Sequence, residues 1–580
     1  MSRLLAYLPL YSWLKNYQRD SFVSDMVAGI VVGIMLIPQG MAYAFLAGLP
    51  PQYGLYAAII PLFLYALLGS SRSLAVGPVA IASLMVGSTI ADSTARGLGD
   101  PVTIAINLSL LVGVILILLR IMRLGAIVNF MSHSVISGFT SAAALLIAIS
   151  QIRHLTGLNI PSGGFFTDTF SYLLSNLQAV NSATLLLGLS GLFTLWFVKA
   201  KLCCLLERSP LPVWLVQPVC RAGPMFAMIV GIVLVASLQL EQSHQVAIVG
   251  AIPEGLPTLS LISIDLQLWQ QLLTPAFLIA LIGFLESVSV GTTLASKRRE
   301  RIDPNKELIA LGAANLGAAF SGTYPVAGGF GRSMVNHSAG AQTTIASIIS
   351  ALMVVITVSF FTPLFYYLPK AVLGAVIIMA VIPLIDVKSF TDSWRFNKAD
   401  ALTLLGTFAF VLLLGVELGI MAGIAISFIL LLYRSSQPHI AVVGRVGDSQ
   451  HFRNIQRHDV ATDKHILAIR VDESLYFANT RFVEDFIRAQ CASHRQVEHV
   501  VLICNAVNFI DASALESLEN LSVHLQSQAI TLHFAEVKGP VMDQLQSTRF
   551  IEQISPGRIF FTTDEAVREL GLGDAEVYEI

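Results

Sequence analysis

Charged side chains are scarce in this chain of 580 residues. Asp, Glu, Lys and Arg make up 12% of the sequence, and 55% of the residues are hydrophobic. An average soluble chain carries about 25% charged residues. This composition excludes a soluble enzyme, and nothing in it indicates a nucleic-acid-binding protein.

Cysteine is also scarce. The five cysteines are Cys203, Cys204, Cys220, Cys491 and Cys504. Their spacing matches no metal-ligand motif, and their odd number does not indicate a disulfide framework. We therefore expect reduced, inert thiols, no metal site and no cofactor.

The few charges are unevenly distributed. Residues 438–580 contain 20 acids and 12 bases, a net charge of −8, whereas residues 1–437 carry a net charge of +6. Charges are also much denser in the second stretch. The sequence predicts a membrane domain over 1–437 and a soluble domain over 438–580.

Long apolar runs fill the first stretch. Clear examples cover residues 27–47, 102–119, 226–240, 275–296 and 351–368, each near the length that spans a bilayer. Basic residues precede the first run, follow the run at 275–296 and end the last run. By the positive-inside rule, both termini lie in the cytoplasm and the number of spans is even.

Two segments of the membrane domain are interrupted. In SLAVGPVAIASL (73–84) a strand-like start leads to Gly77-Pro78, which we read as a helix start. In GTYPVAGGFGRSMVN (322–336) an extended stretch and glycines precede Arg332-Ser333, where a second helix is expected to open. Broken helices in corresponding halves point to a transporter's binding site, and helix N-termini attract anions. On composition alone, Arg332 fits either such a pocket or a loop at the membrane face.

One acid lies deep in an apolar run. Glu286 is near the middle of the run at 275–296. A carboxylate is costly at that depth, so it marks either a proton- or cation-coupling site or a structural acid paired with a cation or a broken backbone.

The residues of several segments resemble the sulfate permease (SulP) family of anion transporters. PQYGLYAAIIPLFLYALLGSSR (51–72) is similar to the family's signature over its full length. LIPQGMAYAFLAGLPP (36–51), LAVGPVAIASL (74–84), LES (285–287), GRSMVN (331–336) and FIDASALESL (509–518) extend the resemblance over nearly the whole chain.

The resemblance implies an α-helical polytopic membrane protein with fourteen membrane segments, arranged as 7+7 inverted repeats. A core domain moves against a gate domain as an elevator, and the third and tenth segments are half-helices whose N-termini meet at the substrate. The tail would be a soluble α/β STAS domain, and the protein would work as a homodimer.

The family's substrate site, carried over by resemblance, falls on three segments. Gln39 and Tyr43 would line the pocket from the first helix. Gly77, Pro78 and Val79 would form the first half-helix tip, and Gly331, Arg332 and Ser333 the second. Several relatives have an aromatic residue at the Val79 position, and many have serine at the Gly331 position.

Glu286 occupies the family's acidic position in the eighth segment. Sodium-coupled relatives look as if they pair an aspartate there with a threonine one turn later, where this chain has Val290. Proton-coupled plant sulfate transporters are more similar, with glutamate at this position. The resemblance therefore favours Glu286 as a proton-coupling residue.

The tail alternates strand and helix signals. HILAIRVDESLYFAN (465–479) is typical of strand, turn and strand, and the order onward is β-α-β-α-β. In bacterial signalling relatives a serine that corresponds to Ser513 is phosphorylated. Here Ser513 is a candidate regulatory site for a cytoplasmic partner, or else Asp511 or Ser513 only caps a helix.

These observations favour a secondary active transporter of the cell membrane that takes up sulfate with protons. Bicarbonate and C4-dicarboxylates are rival substrates. An uncoupled anion exchanger or channel, and a sensor whose output is the STAS domain, are rival functions.

Overall fold

The computed structural model describes residues 9–15, 17–125, 132–158, 160, 166–208, 216, 219–260, 265–571 and 575–578. The chain divides into two compact units, Met1–Ser427 and Phe428–Ile580. The boundary expected after residue 437 lies between the last membrane helix, which ends at Ser436, and the first strand of the tail, which begins at Ile440. The compact units divide inside that helix, so the domain boundary stays a prediction.

The first half of the membrane region begins with a short helix and a long one. A π-helical turn, Val198–Leu202, joins α10 to α11. In chain order the elements are α1 (Pro9–Leu14), α2 (Arg19–Leu46), α3 (Gln52–Tyr56), α4 (Ile60–Leu68), β1 (Val76–Gly77), α5 (Ala80–Ala95), α6 (Pro101–Ile121), α7 (His133–Ser150), α8 (Ile152–Thr156), α9 (Phe166–Ser175), α10 (Ser182–Phe197), α11 (Cys203–Glu207), α12 (Gly223–Leu238) and α13 (Leu240–His244).

The second half repeats the order of long helix, shorter helix, and strand with half-helix. Its elements are α14 (Leu266–Lys297), α15 (Pro304–Phe320), β2 (Ala327–Gly328), α16 (Phe330–Ser338), α17 (Ile345–Phe360), α18 (Lys370–Val381), α19 (Val387–Phe396), α20 (Lys398–Leu414) and α21 (Val416–Ser436).

In chain order these elements group into fourteen segments within the described residues, seven that end with α12 and seven that begin with α14. Seven helical stretches are long and apolar enough to cross a membrane on their own. The 7+7 architecture that the resemblance implied is confirmed. The third and tenth segments, β1 with α5 and β2 with α16, are the interrupted ones.

Within the membrane unit the strongest helix contacts fall into two sets, which we call the core group and the gate group. In the core group α2 packs on α17, and α15 packs on α4 and α6. The half-helices and the helix of Glu286 belong to the same group, since α16 packs on α2, and α5 and α14 pack on α6. In the gate group α7 packs on α20, and α10 packs on α12 and α18. Close crossings depend on small residues: a Cβ on Gly54 of α3 would lie 1.9 Å from the carbonyl oxygen of Gly40 in α2.

The tail is one mixed sheet with helices. Strands β6, β7, β8 and β9 are parallel, and the sheet order is β10-β5-β3-β6-β7-β8-β9, with β4 paired to β3. The strands are β3 (Ile440–Arg445), β4 (Phe452–Asn454), β5 (Val460–Asp463), β6 (Ile466–Val471), β7 (His499–Ile503), β8 (Thr531–Ala535), β9 (Ile559–Phe560) and β10 (Ala575–Tyr578). The helices are α22 (Thr480–Ser493), α23 (Ala512–Ser527), α24 (Gly539–Gln546), α25 (Phe550–Gln553) and α26 (Thr563–Leu570).

The predicted β-α-β-α-β order corresponds to β6-α22-β7-α23-β8 and is confirmed. The second strand expected within 465–479 is wrong, since Leu475 makes only an isolated bridge to Ile510. The backbone there turns instead, because the side chain of Asn479 accepts a hydrogen bond from the N–H of Tyr476 and donates one to the carbonyl of Ser474.

The cysteines depart in part from expectation. Cys203 and Cys220 form a disulfide, since α11 and the helical residues just before α12 bring their Cα atoms to 5.2 Å. The two cysteines are 17 residues apart in sequence, and no motif at that spacing predicts the contact. In the tail, burial raises the pKa of the Cys491 thiol to about 11 and that of Cys504 to about 12, so both thiols are protonated and inert at neutral pH.

Candidate functional site

The two interrupted segments meet as a pair of short antiparallel strands. Val76 pairs with Gly328, and Gly77 with Ala327. Two further contacts join the segments: the N–H of Gly329 donates to the carbonyl of Ala75 at 3.0 Å, and the N–H of Ala75 donates to Ser333 Oγ at 2.8 Å. The half-helices α5 and α16 therefore begin side by side.

The helix starts differ from the predicted ones by a few residues. Helix α5 begins at Ala80, three residues after Gly77, because Val79 is still extended. Helix α16 begins at Phe330, two residues before Arg332. In the described part of the chain no side chain caps the N-terminus of either helix, so the first backbone N–H groups remain donors.

Buried polar side chains satisfy the non-helical backbone. The side chain of Asn315 donates to the carbonyl of Val326 at 3.0 Å and accepts from the N–H of Val326 at 2.9 Å. Ser287 Oγ accepts from the N–H of Gly328 at 2.8 Å. Irregular backbone at membrane depth requires partners of this kind.

A cavity of about 270 Å³ lies at the two helix starts. Six of the residues predicted from the sequence line it: Gln39, Tyr43, Val79, Glu286, Gly331 and Arg332. Gln39 and Tyr43 are one turn apart on α2, and Glu286 comes from α14. The structure thus brings together residues from four separate elements.

Three predicted residues lie behind the cavity wall instead. Gly77 and Pro78 belong to the strand pair and the link that follows it. Ser333 is fully buried, and its hydroxyl accepts the hydrogen bond from Ala75. In this arrangement Ser333 holds the two segments together.

Arg332 is the buried cation of the site. It is 3% exposed, and its Nε and Nη2 atoms are buried without a hydrogen-bond partner in the described part of the chain. Glycines make room for it: a Cβ on Gly329 would lie 2.8 Å from Nη2, and one on Gly77 would lie 3.5 Å from it. The role of Gly329 was missed in the sequence, although the Gly328-Gly329 pair was a signal.

Glu286 shares the cavity with Arg332. Its Oε2 atom is buried and unpartnered, and the two side chains form no ion pair among the described residues. The other buried acid of the core group, Glu307, is different. It accepts hydrogen bonds from Tyr65 Oη, Ser70 Oγ and the N–H of Ser70. Glu307 is held as a structural acid, whereas Glu286 keeps an oxygen free toward the cavity.

Sequence reasoning also missed part of the lining. Phe330 lines the cavity from α16, and Lys199 and Arg221 line it from the gate group. No local motif marks them, because their place depends on how distant helices pack.

In the tail, the start of α23 is capped by Asp511, whose side chain accepts from the N–H groups of Ala514 and Phe477. Ser513 is exposed in the first turn of α23. Asp511 therefore provides the cap, and the Ser513 hydroxyl is accessible.

Comparison with known proteins assigns the chain to a family. The model of the sulfate permease family matches residues 22–407, and the model of the STAS domain matches residues 457–566. The chain belongs to the sulfate permease family. It is accordingly a multi-pass membrane transporter of anions and not an enzyme.

Relatives of this family cover almost the full chain. Sulfate transporter 4.1, chloroplastic, of Arabidopsis thaliana is 33% identical over 574 residues, which are 97% of this chain and 82% of that protein. High affinity sulfate transporter 1 of Stylosanthes hamata is 31% identical over 580 residues, covering 97% of this chain and 86% of the relative.

Solved structures share the fold. The murine Solute Carrier 26 family member A9 anion transporter in the inward-facing state superposes with a TM-score of 0.88 at 25% identity, covering 98% of this chain and 94% of that one. The transmembrane domain of a cyanobacterial bicarbonate transporter, BicA, superposes with a TM-score of 0.60 at 23% identity over 70% of this chain and 98% of that one.

Proposed function

We propose that this transporter takes up sulfate together with protons. The observation that carries the proposal is the pairing, in one cavity, of a buried guanidinium with two unpartnered nitrogens and an acid with an unpartnered oxygen. The relatives named as sulfate transporters support the choice of anion.

In this proposal the anion binds at the second half-helix tip. Arg332 offers a planar fork of donors, and the backbone N–H groups at the starts of α5 and α16 add donors and partial positive charge. Gln39 and Tyr43 supply polar side chains, and Val79 and Gly331 shape the pocket. Gly77, Pro78 and Ser333 position the tips from behind.

Glu286 binds the coupled proton. Sulfate carries two negative charges, and moving each charge against the membrane potential costs about 2.3 kcal/mol per 100 mV. A proton on Glu286 removes the acid's own charge from the cavity and offsets part of the sulfate charge. Binding of anion and proton would then favour each other.

An elevator movement fits the grouping of the helices. Both half-helix tips and Glu286 belong to the core group, and Lys199 and Arg221 belong to the gate group. A displacement of the core against the gate carries the whole site across the membrane. Cytoplasmic termini, a homodimer and a cytoplasmic partner that reads phosphorylation of Ser513 complete the proposal.

Substitution of Glu286 by glutamine tests the coupling. Glu286→Gln keeps the shape of the side chain, so we expect sulfate binding to remain and proton-driven accumulation in proteoliposomes to be lost. Glu307→Gln is the matched control, because it changes a buried acid whose oxygens are already hydrogen-bonded: it should lower thermal stability and leave coupling intact. Accumulation by Glu286→Gln at the wild-type level would overturn the role of Glu286.

A further inference from the structure

Two basic residues of the gate group line the same cavity as Arg332. Lys199 lies in the π-helical turn between α10 and α11, and Arg221 lies just before α12. Both side chains are exposed, whereas Arg332 is 3% exposed. Lys199 and Arg221 therefore lie at the open end of the cavity and Arg332 at its closed end.

The charges of the lining have one dominant sign. Among the described residues, the cavity is lined by the cations Lys199, Arg221 and Arg332 and by the acid Glu286. The cavity stays positive whether Glu286 is ionised or protonated. Charges of one sign along a cleft with apolar walls concentrate counter-ions and accelerate their arrival.

Local structure places the two exposed cations together. The π-helical turn shifts the register of the helix at Lys199, and such turns are frequent at functional sites. Cys203, one turn after Lys199, is bonded to Cys220, the neighbour of Arg221. The Cα atoms of the two cysteines are 5.2 Å apart, so the two short segments that carry the cations lie side by side.

We propose that Lys199 and Arg221 form a mouth station, a pair of cations that attracts the transported anion from one side of the membrane only. The inference rests on the proposed anion site at Arg332. Because the pair belongs to the gate group, it meets the anion only while the binding site is open to the side of the membrane on which the pair lies. By the positive-inside rule this side is the cytoplasm, since Lys201 and Arg208 lie in the same stretch.

The mouth station acts through exposed charges, so its effect depends on salt. Interactions between exposed charges are screened within about 10 Å at 0.1 M ionic strength. Removal of both charges should therefore weaken anion capture at low salt and matter little at high salt. Binding from the opposite side should not change.

Lys199→Gln with Arg221→Gln tests the proposal in proteoliposomes of determined orientation. The half-saturating concentration of labelled anion is measured from each side at low and high ionic strength. We expect it to rise about three- to tenfold on one side at low salt, as for a loss of roughly 1 kcal/mol of screened attraction, and to be unchanged on the other side. Lys201→Gln with Arg208→Gln is the control, since these cations are exposed on the same stretch but outside the cavity lining.

An unchanged value on both sides, an equal rise on both sides, or an equal effect of the control pair would overturn the mouth station. Lys199→Arg with Arg221→Lys keeps the charges and should behave as wild type, which separates charge from folding. Sulfate, chloride, bicarbonate and succinate are each used as the labelled probe. If the wild type does not carry sulfate, the proposed function is wrong. The mouth station is still tested, by the half-saturating concentration of whichever anion the wild type carries.

Discussion

A single guanidinium is the strongest candidate for binding the anion. Arg332 is buried, two of its nitrogens have no partner among the described residues, and glycines at 77 and 329 leave space around it. A buried cation is expensive to maintain without a partner, so its persistence at this place indicates a functional ligand.

Replacement of Arg332 should weaken anion binding without loss of fold. Hydrogen bonds to charged groups contribute about 1.5–3 kcal/mol, so Arg332→Ala should raise the half-saturating sulfate concentration roughly ten- to hundredfold. Arg332→Lys should recover only part of the loss, because lysine lacks the planar fork. Arg301→Ala, at an exposed arginine beyond the membrane helix, is the control. Equal half-saturation for Arg332→Ala and Arg301→Ala would place the arginine outside the binding step.

Gly331 offers a test of selectivity. A Cβ at this position meets no atom of the described residues within 4 Å, so Gly331→Ser adds a hydroxyl to the cavity with the thermal stability preserved. We expect the ratio of sulfate to bicarbonate uptake to change by up to about tenfold, the scale of one hydrogen bond. Gly329→Ser is the contrasting variant, because its Cβ would lie 2.8 Å from Arg332 Nη2 and should reduce uptake of every anion. A Gly331→Ser protein with wild-type ratios would show that this position does not face the anion.

At the scale of elements, the site depends on how tightly the core helices approach. Helices α2 and α3 touch through the backbone at Gly40 and Gly54, where side chains would keep them apart. The same helix α2 carries Gln39 and Tyr43 into the cavity. Its packing therefore sets the geometry of the pocket wall.

Gly54→Ala should push helices α2 and α3 apart at the point where they cross. The added methyl would lie 1.9 Å from the Gly40 carbonyl oxygen, and overpacking of this kind costs about 1–3 kcal/mol or more. We expect a lower melting temperature in detergent and weaker anion binding. Gly406→Ala in α20 is the matched control, because its Cβ would make only an ordinary contact of 3.4 Å with Ile426. Similar melting temperatures for the two variants would mean that the α2–α3 crossing tolerates a side chain.

At the scale of the whole molecule, the sequence predicts most of the fold but little of the hydrogen bonding that holds the site in place. Apolar runs and the signature segments predict the helices and the two interrupted segments. The alignment of Val76 with Gly328 and the supports from Ser287 and Asn315 arise from contacts between distant segments, which periodicity does not encode. For the same reason the Cys203–Cys220 bond and the cavity positions of Lys199 and Arg221 were not predicted.

The candidate site shows the same division. Glu286 and Arg332 could be singled out because charged residues in or between apolar runs are rare and costly, whereas Gln39 and Tyr43 came only from the resemblance to the family. Ser333 was assigned to the pocket by the same resemblance, yet in the structure its hydroxyl accepts the hydrogen bond from the N–H of Ala75. Which face of a short half-helix turns to the cavity depends on where the helix begins. Helix α16 begins at Phe330, two residues before the start predicted from the sequence.

Uptake of labelled sulfate by the purified wild type in proteoliposomes tests proton-coupled sulfate transport most directly. Accumulation is followed with an inward proton gradient, with an inward sodium gradient and with neither, while a trapped dye reports internal pH. Accumulation that requires the proton gradient, together with sulfate-dependent acidification of the lumen, is the predicted result. Accumulation driven by sodium alone, or sulfate flux that ignores both gradients and moves no protons, would contradict it.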